Sequence, residues 1–443
     1  MGKTLTFQPL TRIKTRTKMV INLDDNGNVT DAHMSMLNLR GFEQFCIGRP
    51  AEEMPRIVNR ICGVCSCDHH LAANKAVEMA FGVSIPEAAK KLRRLMQHLA
   101  WIQNKILQFY FLTLPDFLIT EPPRDIMALM KANSELALKA IKMRQLGAML
   151  VEHFAGKVIH PIVVVPGGFS KPMTETEREE LLKGAEELLE FAKWTMDFAK
   201  KEVFPKYSEI IEKLGVIKTG FIGMVDNGGN HEIYDGKLRL MKADGEIEEF
   251  NPEEYADYIA EDIQTWSYAK FPHAKKWGDF ALEFDNPTIY RSNCLARINV
   301  CEKMPTALAQ AELEEFREKF GRPCQYTLLY NYARLIELLC NAESAVEILK
   351  DKEITDQNVR AKFEIKEGRG VGCVETPQGT LIHDYEIDKN GFVTKINIIE
   401  GPDQNAAAIN LSLKQAAKQV IKDGKYDETA LNQIEMIIRA YAP

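Results

Sequence analysis

The sequence has 443 residues, of which 45% are hydrophobic and 27% are charged, and its formal net charge is −7. This length allows one very large domain or two to three closely packed ones, and the apolar share is enough for a large core. The negative balance, without blocks of like charge, argues against binding to nucleic acid or to an anionic membrane surface, and no apolar run approaches the roughly 20 residues that span a bilayer.

The cysteines indicate a reducing environment. There are nine, an odd number, and they are scattered through apolar segments. This pattern favours reduced, mostly buried thiols over a framework of disulfides. The first residues also lack the apolar stretch of a signal peptide. We therefore expect a cytoplasmic protein of an anaerobic setting, without a membrane span.

The first predicted element is a β-hairpin. Residues 19–23 and 29–36 alternate apolar and polar side chains, and the segment Asp24-Asp25-Asn26-Gly27-Asn28 between them has the composition of a turn. Residues 60–70, RICGVCSCDHH, follow and carry the densest chemistry of the chain. The sulfurs of Cys62 and Cys65 are spaced to ligate one metal, at or near the start of a helix that favours thiolate over thiol. The alternative is that they are two small buried residues.

Long amphipathic patterns then predict helices at 85–113, 126–155, 328–349 and 407–421, and Thr174-Glu175-Thr176-Glu177 predicts a capping box. Residues 221–250 are punctuated by glycine and read as strands joined by tight turns. No glycine-rich phosphate loop is present. The sequence therefore predicts a mostly α, α+β fold with a helical core and peripheral β-hairpins.

The motif Arg60-x-Cys62-Gly63-x-Cys65-x-x-x-His69 resembles the N-terminal metal motif of nickel–iron hydrogenase large subunits. The resemblance extends over essentially the whole chain and is greatest to the cytoplasmic F₄₂₀-non-reducing type. It implies one domain over residues 1–443. Its predicted parts are an N-terminal hairpin and lead-in at 1–60, a helical core at 61–215, a β-rich insertion at 216–290, and helices with a C-terminal hairpin at 291–443.

The resemblance also implies roles for individual residues. In this family the cysteines matching Cys62 and Cys65 supply half of the thiolates of the nickel–iron centre, and a second C-x-x-C near the C-terminus supplies the rest. The glutamate matching Glu43 helps to hold a magnesium or similar ion. A separate possibility is that Cys62, Cys65, Cys67 and His69 form a small zinc or iron site.

Six positions depart from the family pattern. Lys14 stands where the family has a proton-relaying glutamate, and Arg16 where it has a histidine. Gln378 replaces an arginine that lies over the open face of the metals, and Ala442 replaces the aspartate before the terminal cysteines. Histidines are usual where Lys105 and Gln108 stand. An ammonium with a pKa near 10 cannot relay protons near neutral pH without a large shift of that pKa, and glutamine is neither a strong base nor a fixed charge.

These departures predict a hydrogenase-like large subunit that has lost H₂ chemistry and holds no cofactor of its own. It would act as a scaffold that packs on an iron–sulfur small subunit within a heterodisulfide-reductase-like or formate-dehydrogenase-like complex. We expect Lys14, Arg16 and Gln378 to fill the vacated pocket through salt bridges and hydrogen bonds. The alternative is a working nickel–iron hydrogenase whose last residues lie beyond Pro443.

Overall fold

The computed structural model describes residues 2–443. Helices predominate in this part of the chain. The α-helices are α1 Phe42–Cys46, α2 Met54–Val58, α3 Ser66–Phe81, α4 Glu87–Ile106, α5 Leu114–Leu118, α6 Ile126–Ala132, α7 Ser134–Ala155, α8 Glu175–Phe198, α9 Ser208–Lys213, α10 Tyr255–Tyr258, α11 Cys294–Val300, α12 Ala307–Phe320, α13 Tyr330–Lys350, α14 Ala406–Val420 and α15 Glu428–Tyr441.

The strands form small separate sheets. They are β1 Thr4–Phe7, β2 Thr17–Leu23, β3 Val29–Met36, β4 Val164–Val165, β5 Gly168–Phe169, β6 Gly220–Val225, β7 Lys237–Met241, β8 Ile247–Phe250, β9 Ile259–Ile263, β10 Lys270–Ala274, β11 Tyr290–Arg291, β12 Gly368–Thr376, β13 Gly379–Ile387 and β14 Val393–Ile399. The sheet orders are β1-β2-β3, β11-β6-β7-β8, β12-β13-β14, β9-β10 and β4-β5. Every pairing is antiparallel except that of β11 with β6.

The N-terminal hairpin has the register that its alternation predicts. Met19 pairs with Met34 and Ile21 with Ala32 across β2 and β3, and these four side chains are buried. Strand β1 adds a third strand to the hairpin, with Leu5 opposite Ile21. The alternation works because successive side chains point to opposite faces, so that one face packs on the core.

The helical core is built from long helices with continuous apolar faces. Helix α13 packs against both α4 and α8. The capping box at Thr174 is confirmed, since its side chain accepts from the Glu177 backbone and the Glu177 side chain accepts in return. The predicted helix over 85–113 is α4 followed by a π-helical turn at Leu107–Thr113.

The third sheet differs from the prediction in its position. Strands β12 and β13 are almost wholly buried, and β12 packs along α3. A Cβ at Gly370 or Gly372 would collide with the backbone oxygens of Ala76 and Ala72. Glycine on the strand and alanine on the helix therefore let the two backbones approach closely. The expectation of peripheral hairpins is wrong for this sheet, which lies inside the molecule.

One hydrophobic core extends through most of the described chain, from Leu5 to Tyr441. A second, smaller cluster lies between the β6-β7-β8 region and the β12-β13-β14 sheet. The mostly α, α+β class is confirmed by this architecture. The division into four regions stays a prediction. No helix within residues 2–443 combines the length and the apolar character needed to cross a membrane.

Candidate functional site

Cys62 and Cys65 lie at the entrance to helix α3. Cys65 is the N-cap residue of this helix, and its backbone N–H donates to Sγ of Cys62 at 3.3 Å. The two sulfurs are joined in a disulfide. Cys65 is buried, with 3% of its surface exposed, whereas Cys62 is half-buried and lines a cavity. The two sulfurs therefore differ in their access to solvent.

The cavity beside Cys62 has a volume of about 390 Å³ and is open at one side. Residues far apart in the sequence meet on its wall, because the N-terminal segment, the α3 entrance, the β12–β13 turn and the end of the chain converge here. The lining includes Lys14, Cys62, Gln378 and Pro443. The expectation that side chains fill this space is thus wrong.

Lys14 lines this wall and forms a hydrogen bond in place of a salt bridge. Its Nζ donates to Oδ1 of Asn104 at 2.9 Å, and Nδ2 of Asn104 donates in turn to the carbonyl of Val64 at 2.9 Å. Burial lowers the pKa of Lys14 well below its usual value, and the positive charges of Arg334 and Lys105 lower it further. The pKa of Lys14 is therefore shifted in the direction that an ammonium group needs in order to exchange protons near neutral pH.

Gln378 lies at the turn between β12 and β13 and is 2% exposed. Its backbone N–H donates to Oγ1 of Thr376 at 3.0 Å, and its carbonyl accepts from Nδ2 of Asn405 at 3.0 Å. Its side-chain Nε2 has no acceptor among residues 2–443. A buried amide donor without a partner is costly, so this group on the cavity wall is available to a ligand.

Comparison with known proteins identifies the family of this chain. A family model described as nickel-dependent hydrogenase matches residues 40–139, and one described as HoxL-like matches residues 4–39. One chain of the vhu F₄₂₀-non-reducing hydrogenase of Methanococcus voltae is 45% identical, and the match covers 96% of this chain and 100% of that protein. The chain belongs to the nickel-dependent hydrogenase family.

Two further similarities agree with this assignment. The NAD-reducing hydrogenase HoxS subunit beta of Cupriavidus necator is 33% identical, over 100% of this chain and 94% of that protein. The crystal structure of an NAD⁺-reducing nickel–iron hydrogenase in the H₂-reduced state superposes with a TM-score of 0.94 at 34% identity. That match covers 100% of this chain and 98% of the other.

Two of the altered family positions lie away from the cysteines or have a structural role. Arg16 is exposed, and its backbone N–H donates to Oδ1 of Asn38 at 3.0 Å. It does not line the cavity, so the expectation that it fills the pocket is wrong. Ala442 is buried and forms the left-handed C-cap of α15, with its N–H donating to the carbonyl of Arg439 at 3.0 Å.

Glu43, the family's candidate for a magnesium ligand, is paired with an ammonium group. Its Oε1 accepts from Nζ of Lys270 at 2.9 Å and from the backbone N–H of Ile398 at 2.9 Å. Lys270 also contacts Glu261 at 3.2 Å. Burial, followed by the charge of Glu43, raises the pKa of the nearby Glu400 to about 7. The charge that a divalent ion would supply comes here from Lys270.

The residues of the predicted small zinc or iron site do not form a metal-binding cluster. Burial raises the pKa of the Cys67 thiol, and Nδ1 of His69 lies 3.1 Å from Nε2 of His383. Among residues 2–443, the structure gathers no group of three or more His, Cys, Asp or Glu side chains that could hold a metal ion.

A nickel–iron centre needs several thiolates at one point. The described residues supply two sulfurs, with an amine and an uncharged amide on the same cavity wall. Residues 2–443 therefore do not by themselves fit the family's metal group.

A buried charge network behind the cavity was missed by the sequence reasoning. Glu337 accepts from Nζ of Lys105 at 2.5 Å and from Nε of Arg297 at 2.5 Å. Nε2 of His231 lies 3.1 Å from the same carboxylate, and Arg297 also pairs with Glu375 at 2.7 Å. Burial raises the pKa of Glu337, but Arg297 and Lys105 hold it well below its usual value. Charged residues within the apolar runs of α4 and α13 were the available signal.

Proposed function

We propose that this chain is a hydrogenase-large-subunit-like scaffold of a multi-subunit electron-transfer complex, without H₂ activation of its own. One observation carries this proposal: Lys14, Gln378 and Cys62 line the same cavity. Lys14 stands where the family has its proton-relaying glutamate, and Gln378 stands where it has its arginine. Both replacements thus lie on the cavity wall that also includes Cys62.

The exchange at Gln378 carries the most weight. The family's arginine brings a fixed positive charge and a strong base to this position, and neither property belongs to a carboxamide. In this chain the amide nitrogen has no acceptor among the described residues. The side chain therefore lacks both the charge and the hydrogen-bonded anchoring that would position it over a metal centre.

The partner in this proposal is an iron–sulfur small subunit, which would hold the clusters of the complex. The surface around the cavity mouth supports such a docking role, because Leu39 is 83% exposed and Tyr268 is 54% exposed there. Contiguous exposed apolar patches mark interaction sites, and these two residues border the same cavity. The larger assembly would be cytoplasmic and heterodisulfide-reductase-like or formate-dehydrogenase-like.

A second candidate function is an active nickel–iron hydrogenase that oxidises H₂ and feeds electrons to a heterodisulfide reductase. The 45% identity to a relative named as a hydrogenase favours it. In this case Cys62 and Cys65 would be metal ligands, and Glu43 would lie beside a further ion. The remaining thiolates would have to come from outside residues 2–443.

Metal content and hydrogen-dependent dye reduction separate the two functions. The complex should be purified anaerobically from its source with its encoded C-terminus verified, and nickel and iron should be measured per chain. We expect nickel far below one atom per chain and no reduction of methyl viologen under H₂. About one nickel per chain with hydrogen-dependent reduction would overturn the scaffold proposal in favour of the second function.

A further inference from the structure

A second cavity opens beside helices α4 and α13, apart from the candidate site described above. Its volume is about 200 Å³, and its lining shares no residue with the lining of the first cavity. One part of the wall is apolar and consists of Ile233, Pro305 and Ile348. The polar part includes His98 from α4 and His231 from the segment between β6 and β7. The cavity therefore offers both apolar contacts and imidazole nitrogens to a ligand.

His98 presents a ring nitrogen that has no partner in the protein. Its Nδ1 lies 2.9 Å from Oδ1 of Asn341. Because Nδ2 of Asn341 donates to the carbonyl of Glu337, Oδ1 of Asn341 is the acceptor and Nδ1 of His98 carries the proton. Burial lowers the pKa of His98 to about 4, so the ring is neutral. Its Nε2 is thus a lone-pair acceptor, without a donor among the described residues.

His231 is arranged in the same way. Its Nε2 lies 3.1 Å from Oε1 of Glu337, a carboxylate held by Lys105 and Arg297, so Nε2 is the donor. In the neutral ring Nδ1 is then an acceptor, and it has no donor within residues 2–443. His98 and His231 are only 7% and 5% exposed. Two nearly buried acceptors without protein partners therefore border one small cavity, and a buried polar group without a partner is costly.

The charges around this cavity favour a positively charged ligand. The cation of the lining, Arg94, is already bound to both carboxylate oxygens of Glu232 at 2.9 and 3.0 Å. Glu347 at the exposed rim forms no ion pair with any residue that the structure describes. The unpaired charge of the lining is therefore negative, and its free groups accept hydrogen bonds.

We propose that this cavity binds a small primary ammonium ion that carries an alkyl group. Such an ion has three N–H donors, and His98, His231 and Glu347 supply three acceptors. The alkyl group would lie against the apolar part of the wall. A metal ion is the other ligand that two imidazoles suggest, but residues 2–443 gather no third ligand that would complete a metal site.

Ligands alone test this chemistry without any variant. The anaerobically purified chain with its copurifying subunits is titrated at pH 8 with n-butylammonium and followed by saturation-transfer difference NMR. At this pH an unperturbed imidazole is neutral and an alkylammonium is still charged. We expect saturable binding of n-butylammonium that neither 1-butanol nor tetramethylammonium displaces. The alcohol lacks the charge, and the quaternary ion has no N–H group.

Variants locate the bound ion. Glu347→Gln changes an exposed residue and should raise the Kd of n-butylammonium by about two- to fivefold, the usual effect of losing an exposed ion pair. His98→Phe removes a buried acceptor and should raise the Kd by about tenfold or more. Glu318→Gln is the matched control, because Glu318 is exposed on α12 outside the cavity lining, and it should leave the Kd unchanged.

Four results would overturn the proposal. Absence of saturable binding would do so directly. Equal displacement by tetramethylammonium or 1-butanol would show that binding does not depend on charged N–H donors. A Kd that neither Glu347→Gln nor His98→Phe changes would place the ion elsewhere on the complex. Zinc that wild type retains through dialysis and His98→Phe loses, with no binding of n-butylammonium, would replace the ammonium site with a metal site.

Discussion

At the scale of single residues, the surroundings of a side chain change its chemistry in ways that the residue type does not indicate. Lys14 reads in the sequence as a solvated ammonium or a salt-bridge donor. In the structure it donates to the neutral amide of Asn104, and burial together with Arg334 and Lys105 lowers its pKa. Its chemistry is therefore closer to that of a neutral amine than its residue type indicates.

The buried carboxyl group of Asp68 allows the effect of burial on a pKa to be tested through the pH dependence of stability. Burial raises its pKa to about 7, although hydrogen bonds from Trp101 and Gln97 lower it. A carboxyl group whose folded pKa lies above its unfolded value contributes most stability at low pH, and loses it as the pH rises from about 4 to about 7. We expect Asp68→Asn to remove this loss, so that the variant gains on the order of 4 kcal/mol over wild type between pH 4 and pH 8.

Chemical denaturation of wild type and Asp68→Asn at pH 4, 6 and 8 measures the difference. The exposed residue Asp197 provides a matched control, and Asp197→Asn should change the unfolding free energy only slightly because its side chain is in solvent. A difference for Asp68→Asn that stays constant with pH would show that this carboxyl group ionises normally in the fold.

Gln378 tests the consequence of an unpaired buried amide. Its Nε2 lacks an acceptor among the described residues, and its Oε1 is 3.5 Å from the hydroxyl of Thr376. Gln378→Met should therefore be neutral or stabilising by up to about 1 kcal/mol, because no good hydrogen bond is lost. Gln404 is equally buried but donates to the carbonyl of Thr380 and accepts from Tyr290, so Gln404→Met should cost about 1–3 kcal/mol.

Thermal unfolding monitored by fluorescence compares these two glutamine variants. The prediction fails if Gln378→Met lowers the midpoint as much as Gln404→Met does. In that case the Gln378 amide would have a stabilising partner that the unpaired geometry does not account for.

The sequence could predict the motif residues but not their surroundings. The spacing of Cys62 and Cys65 at a helix start is local, and the structure agrees with it. The lowered pKa of Lys14 depends on burial and on the charges of Arg334 and Lys105, which are distant in the chain. The exposure of Arg16 likewise depends on how the chain folds around it. No local pattern records such distant neighbours, so these properties could only be read from the fold.

At the scale of elements, the packing of α3 against β12 positions the residues of the candidate site. Helix α3 carries the cysteines at its entrance, and β12 leads to Gln378 at its end. The amphipathic and alternating patterns predicted a helix and a hairpin, yet not that they pack together. The signal lay in the repeated glycines of β12 and the alanines of α3. From the sequence alone, such glycines look like turn residues, so they do not reveal a close approach of two backbones.

Substitution of Gly372 tests this contact. A Cβ at this position would strike the backbone oxygen of Ala72, and backbone cannot yield as a flexible side chain does. Gly372→Ala should therefore destabilise the protein by about 3 kcal/mol or more. Gly321 has positive φ but open space around it, so Gly321→Ala should cost only about 1 kcal/mol for its backbone conformation. Equal unfolding midpoints for the two variants would contradict the close approach of α3 and β12.

At the scale of the whole molecule, buried charge joins the elements around the site. The Glu337 network ties α4, α11 and α13 to β12 through Lys105, Arg297 and Glu375. Removal of one partner from such a network typically costs about 3–5 kcal/mol, because a buried charge is left unpaired. Helices α4, α11 and α13 and strand β12 are thus joined by ion pairs among the chain's own side chains.

The docking surface provides the last prediction, and it concerns the assembly. Leu39 and Tyr268 lie at the mouth of the cavity and are 83% and 54% exposed. If the iron–sulfur subunit covers this mouth, a charge placed there would be buried without a partner on binding, at a cost of several kcal/mol. We expect Leu39→Asp to abolish copurification of the small subunit while the chain itself stays folded.

Leu138→Asp is the matched control, since Leu138 is 54% exposed on α7 and does not line the cavity. Copurification that survives Leu39→Asp, or that Leu138→Asp also abolishes, would place the small subunit elsewhere on the surface.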